Sequence, residues 1–142
     1  MNIKLNKSSL NVSSKLLKQL NKQIELNGVT DEDSEITINF RDLSYSAKEG
    51  GYHPVEISMR KDLFTSNWDL LYITDFAFYG LHYPELCMEF DFNFELKAFF
   101  MINCGSRSLS DSEVKGFYKL WQTSFISSLE SDVFDEIEVS SY

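Results

Sequence analysis

Cysteine, histidine and proline each occur only twice among the 142 residues, and no apolar run approaches the roughly 18 residues that span a bilayer. Cys87 and Cys104 are too few for the disulfide framework of a small secreted domain, so a reducing cytosol is the expected compartment. Met1 to Lys7 are mostly polar and lack the apolar core of a signal peptide, which adds to the expectation of a cytoplasmic protein that does not engage a membrane. His53 and His82 have no zinc or catalytic spacing relative to each other or to the cysteines. No metal site and no cofactor are expected, because tetrahedral zinc needs three or four converging ligands. Gly50-Gly51 stands alone, with no GxxxxGK, no GxGxxG and no GxSxG anywhere, so the common phosphate-binding and nucleophile-elbow signatures are excluded. Positive charge is also scarce. Thirteen Lys and Arg face 22 Asp and Glu, a net charge of −9 that opposes nonspecific attraction to nucleic acid or anionic lipid.

Aromatic residues are abundant at 15%, including twelve Phe, and favour a packed core over disorder. The length fits a single domain, residues 1–142, since two folding units would each be short of core. Charge is unevenly placed. Residues 1–27 hold five Lys and one Glu (+4), so the remaining residues carry −13. Residues 131–142 form an acidic segment expected to be a mobile tail, although Phe134, Ile137, Val139 and Tyr142 are features of a segment that docks.

Ser13 or Ser14 can cap a helix whose Leu16, Leu17, Leu20 and Ile24 share one face before Asn27-Gly28 stops it. Period-two alternation follows in Ile36, Ile38 and Phe40, then in Val55, Ile57 and Met59. Trp68, Leu70, Tyr72, Thr74, Phe76 and Phe78 form one face of a longer strand, leaving Asp69, Leu71, Ile73 and Asp75 on the other. Leu86 to Leu96 alternates most cleanly of all. Ala98 to Ile102 is either a fifth strand or a short buried helix. Ser110-Asp111-Ser112-Glu113 reads as a capping box with Ser110 at the cap, opening a helix with an aromatic stripe through Phe117, Trp121 and Phe125.

This order predicts an α+β domain: an antiparallel meander of four or five strands, with an N-terminal and a C-terminal helix packed on one face. Its open face would carry Glu56, Asp69, Asp75, Glu89, Asp91 and Glu95, interrupted by an apolar strip of Leu71 and Ile73. Adjacent apolar residues on an acidic face suggest coverage by a partner, with a basic protein favoured over a homodimer by charge.

The segment from Arg41 to Pro54 gathers Arg41, Asp42, Tyr45, Tyr52 and His53 in a loop long enough to suggest function. Arg41 could clamp an anion, the tyrosines could stack or donate, and His53 could carry a proton. The same residues could equally satisfy local backbone groups and order the turn before Pro54.

The stretch INFRDLSYSAKEGGYHPVEI from Ile38 to Ile57, with YITDF at 72–76, FDFNF at 90–94 and WQTSF at 121–125, resembles the bacterial domain of unknown function numbered 2787. The resemblance covers most of the chain and implies a bacterial cytosolic protein from a family often found on mobile elements. It brings no activity and no catalytic residues. The chain departs from the family in having Leu43 where proline is common, and Leu96-Lys97 where a glycine turn is frequent.

The leading expectation is a non-enzymatic binding or accessory module that meets a protein partner through the 41–54 loop and the acidic sheet face. A second is a small enzyme acting on an anionic metabolite, with Arg41, Tyr45 and His53 around one deep pocket. A third is an acidic mimic of DNA.

Overall fold

A computed structural model describes residues 1–142. Helix α1 (Ser14–Leu26) is followed by strands β1 (Glu35–Arg41), β2 (Val55–Lys61), β3 (Trp68–Tyr79), β4 (Glu85–Asn93), β5 (Ala98–Met101) and β6 (Gly105–Ser108). Helix α2 (Ser112–Glu130) and strand β7 (Glu136–Ser141) complete the chain. The α+β class and the antiparallel pairing agree with the sequence reading, but the sheet has seven strands, in the order β6-β5-β4-β3-β2-β1-β7.

Two of the seven strands lie outside the sequence expectation, for different reasons. Strand β6 reads Gly-Ser-Arg-Ser, has no apolar residue and is exposed throughout, so no hydrophobic period marks it. The acidic segment expected to be mobile is strand β7, which pairs with β1 from Arg41↔Glu136 to Ile36↔Ser141. Ile137 and Val139 pack on the core beside Phe40 and Ile38, while Glu136 and Glu138 point away. Carboxylates along such a border discourage pairing with another chain, so the charge that reads as a solvated tail also suits an edge strand. The Tyr142 carbonyl accepts from the amides of Ser34 and Glu35 at 2.7 and 2.8 Å, which ties the segment down. A paired strand therefore follows α2.

Ala98–Met101 is a strand, reached through a turn in which Asn93 Oδ1 accepts from the Leu96 amide at 2.9 Å and Lys97 takes φ +53°. Lysine thus occupies a left-handed position that favours glycine.

Two β-bulges decide which residues face inward. In the β2/β3 ladder Leu70 pairs with Met59 and Tyr72 with Ser58, leaving Leu71 without a partner. An extra residue in a strand reverses the facing of everything beyond it. Trp68 and Leu70 point to the core before the bulge; beyond it Ile73, Asp75 and Ala77 do, and Tyr72, Thr74, Phe76 and Phe78 turn to the open face. Leu71 (8% exposed) and Ile73 (0%) are thus buried, contrary to the expected apolar strip. The second bulge lies in β4, where Asp75 pairs with Phe90 and Phe76 with Met88, so Glu89 is unpaired.

The buried residues of both helices share one core with Ile36, Ile38, Phe40, Ile57, Met59, Phe90 and Phe92. Leu16, Leu20 and Ile24 bury the expected face of α1, capped by Ser13, whose side chain accepts from the Leu16 amide. Helix α2 is capped by Asp111 rather than Ser110; its carboxylate accepts from the amides of Glu113 and Val114. Trp121 stacks on Phe125 at 4.9 Å, Phe92 lies 5.8 Å from Trp121, and Phe40 meets Phe125 edge-on at 5.1 Å. No helix is long and apolar enough to cross a membrane.

Candidate functional site

The 42–54 loop is ordered by its own polar groups. Asp42 is its hub: one carboxylate oxygen accepts from the Ser44 amide and hydroxyl at 3.0 and 2.6 Å, and the other accepts from the Tyr52 amide at 3.0 Å. These bonds, led by that from the Ser44 hydroxyl, hold the Asp42 carboxyl below its ordinary pKa. Gly51 takes φ +132°, and a Cβ there would lie 2.9 Å from Asp42 Oδ2 and 3.0 Å from Tyr45 Cα. The approach of these two segments requires glycine.

Strand β2 begins at Val55, so β3 projects beyond its neighbour and needs other acceptors for its amides. The Pro54 carbonyl accepts from Phe76 at 2.9 Å, and the Tyr45 hydroxyl accepts from Phe78 at 3.1 Å. Tyr45 therefore substitutes for a missing strand and packs against both Phe78 and His53, each at 5.1 Å between ring centroids. Arg41 is exposed and donates from Nε to Asn39 Oδ1 on the open face of β1. Tyr52, about half exposed, approaches Phe134 edge-on. The loop residues do not converge on one deep pocket, and Arg41 is absent from the lining of the cleft that holds His53.

That cleft, of about 230 Å³, lies between the loop and α2, with Tyr52, His53, Asp75, Trp121, Ser124 and Phe134 in its walls. Beside it the imidazole Nδ1 of His53 lies 3.0 Å from Asp75 Oδ1 and 3.9 Å from Glu89 Oε2. Trp121 donates from Nε1 to the second oxygen of Asp75 at 3.2 Å, and the Tyr79 hydroxyl donates to Glu89 Oε2 at 3.3 Å. An ionised carboxylate can only accept, so against ionised Asp75 the imidazole carries its proton on Nδ1. The bond to Asp75 raises the His53 pKa above its ordinary value; burial opposes it, and the charges of Asp75 and Glu89 reinforce it. Both bulges build this arrangement. The first turns Asp75 (6% exposed) to the helix side, and the second leaves Glu89 free of its ladder beside it. The expectation that Asp75 and Glu89 belong with the carboxylates of the open face is corrected accordingly. Alternation alone could not bring these three residues together, since strict period two separates Asp75 from the core set. Their donor atoms all lie within 4.8 Å of one another, a set able to hold a metal ion.

The open face has a different character. Glu56, Asp69 and Asp91 lie on it as expected, joined by Glu136 and Glu138 from β7. Glu56 accepts from the Tyr72 hydroxyl at 2.8 Å, and burial together with this bond pushes the Tyr72 pKa up to about 12. Thr74 donates to Asp91 at 2.7 Å, and burial raises the Asp91 pKa. The apolar strip exists but is built from other residues. Phe76 pairs with Met88, Phe78 with Leu86, and Asp91 with Phe100, so these five apolar side chains share the open face. Leu86 and Met88 are 37% and 43% exposed. The cysteines are free, Cys87 half-buried and Cys104 exposed.

The family model for "Protein of unknown function (DUF2787)" matches residues 14–140. The chain belongs to this family. Two solved structures share its fold and much of its sequence. A hypothetical protein from the VSP-II pathogenicity island of Vibrio cholerae is 38% identical, with a TM-score of 0.87, over 96% of this chain and 98% of that one. A conserved hypothetical protein from pathogenicity island VPI-2 of Vibrio cholerae O1 biovar eltor is 30% identical, with a TM-score of 0.84, over 96% of this chain and 99% of that one. The latter is described as sharing structural homology with the human P32 protein. No curated protein matches the chain.

Proposed function

We propose that this DUF2787 member is a non-enzymatic binding module of the bacterial cytosol, which receives a basic protein partner on the open face of its sheet. The observation that carries this reading is the apolar strip of Phe76, Phe78, Leu86, Met88 and Phe100 on the face that also bears Glu56, Asp69, Asp91, Glu136 and Glu138. Apolar area within a charged frame supplies affinity at its centre and selects the partner's charge at its rim. A second copy would bring the same carboxylates against themselves, which disfavours self-pairing. Arg41 and the exposed Leu43 lie where the 42–54 loop leaves this face and would extend the contact. The two related structures come from pathogenicity islands, a setting that suits an accessory protein acting on a cellular partner.

The enzyme reading has less support, since Arg41 and His53 do not share a cleft and the cleft beside His53 is small. A photo-cross-linker placed at Met88 in the native cell tests the proposal against one placed at Leu120, an exposed position on α2. The expected result is one discrete, Lys- or Arg-rich protein joined at Met88 and not at Leu120, with a yield that falls as salt rises. Joining only to a second copy of this chain, or equal joining at both positions, overturns the proposal.

A further inference from the structure

We infer that His53, Asp75 and Glu89 form a mononuclear transition-metal site beside the cleft between the 42–54 loop and α2, whose walls include His53 and Asp75. The three donors come from consecutive segments of the sheet: the residue before Pro54 at the entry to β2, the middle of β3, and the bulge of β4. Nδ1 of His53 stands 3.0 Å from Asp75 Oδ1 and 3.9 Å from Glu89 Oε2, and all three atoms lie within 4.8 Å of one another. Donors sharing a tetrahedral zinc ion are roughly 3.4 Å apart, given bonds of about 2.0–2.2 Å. Movement of the half-buried Glu89 side chain by about an ångström would complete that geometry.

Four features set this cluster apart from a chance gathering of acids. One donor is an imidazole, whose Nδ1 would ligate once its proton is given up to solvent and the ring keeps the one on Nε2. Asp75 is 6% exposed and its second oxygen is held by Trp121 Nε1, while the Tyr79 hydroxyl donates to the Glu89 oxygen that would ligate and would move with it. Outer hydrogen bonds of this kind fix the orientation of metal-binding side chains. The bulge that frees Glu89 also reduces the ladder's control over where its carboxylate points. The adjoining cleft leaves room on the side of Tyr52 and Ser124 for a water as fourth ligand.

The ion class follows from the donors. One nitrogen with two carboxylates is too nitrogen-poor for copper selectivity and has no thiolate, whereas calcium and magnesium favour all-oxygen shells. The divalent ions from Mn²⁺ to Ni²⁺ and Zn²⁺ remain, and Zn²⁺ binds such a site more tightly than Mn²⁺ or Fe²⁺. This site lies on the helix side of the sheet, so it stands or falls independently of the open face.

Calorimetric titration of metal-free protein with Zn²⁺ tests it, using Cys87→Ser/Cys104→Ser as the background to remove thiolate binding. One equivalent is expected to bind, and Glu89→Gln and His53→Gln are each expected to weaken it at least tenfold. Glu89→Gln is isosteric at a half-buried position, so its thermal midpoint without metal should match that of the background, which separates loss of ligation from loss of fold. Zn²⁺ binding of unchanged strength in both variants would place the ion elsewhere and overturn the assignment. So would a dissociation constant for the background protein weaker than about 1 mM.

Discussion

Ile73 and Phe76 exchange the roles that simple alternation assigns them, and that exchange is measurable. Without the bulge at Leu71, Phe76 belongs to the core and Ile73 faces water. With it, Ile73 is 0% exposed among the core side chains, and Phe76 lies half-buried on the open face. Ile73→Ala should create a cavity that the sheet cannot collapse around, at a cost of about 3 kcal/mol within the usual range of roughly 2–5. Phe76→Ala removes a larger side chain, but one that keeps part of its surface in water on the open face and leaves no closed cavity, and should cost roughly 2 kcal/mol. For a domain near this size these values correspond to falls in Tm of about 6–12 °C and about 4–8 °C. Urea unfolding followed by tryptophan fluorescence suits the comparison, because Trp68 and Trp121 are both buried in the same core. The discriminating result is the order of the two midpoints. A larger loss for Phe76→Ala than for Ile73→Ala would mean that β3 runs without its bulge, and both sites derived from it would be misplaced.

Deleting residues 136–142 should lower stability by about 3 kcal/mol or more, since Ile137 and Val139 leave the core and a whole strand ladder is lost. A Tm unchanged within a degree would restore the mobile-tail reading. In metal-free buffer His53 should add a pH-dependent increment to stability. Its folded pKa lies above 6.5, so the increment is fully present below that pH and declines as pH rises through the raised folded value. The stability gap between wild type and His53→Gln should therefore narrow from pH 6 to pH 9 in chemical denaturation; a constant gap would refute the link to Asp75.

The regular elements were readable because their side chains repeat. Leu16, Leu20 and Ile24 mark α1, and Phe90 and Phe92 mark β4, since burial on one face imposes the period of the backbone. What escaped was set by pairing between strands. A bulge depends on the partner's register, so Leu71 and Glu89 look like ordinary members of alternating runs. The site at His53 inherits this difficulty, because Asp75 faces it only after one bulge and Glu89 only through another. The loop is dense in polar groups that suggest function, yet Asp42 and Tyr45 serve mainly to satisfy backbone amides. The apolar strip was expected on the right face for the wrong residues. The bulge at Leu71, itself buried, turns Ile73 to the core and places Phe76 and Phe78 on that face.

The pairing of β7 with β1 also has a consequence for biosynthesis. Ile36 meets Ser141 and Arg41 meets Glu136, so the ladder joins segments about a hundred residues apart in the chain. At a translation rate of about 5–20 residues per second, the edge of β1 waits roughly 5–20 s after its own synthesis before its partner has been made. Throughout that interval Ile36, Ile38 and Phe40 belong to a strand with one unpaired border, the condition in which nascent chains associate with one another. Outward-facing Glu35 and Arg41 bracket the exposed ladder during the delay, and the arrival of β7 replaces that provisional guard with a permanent one.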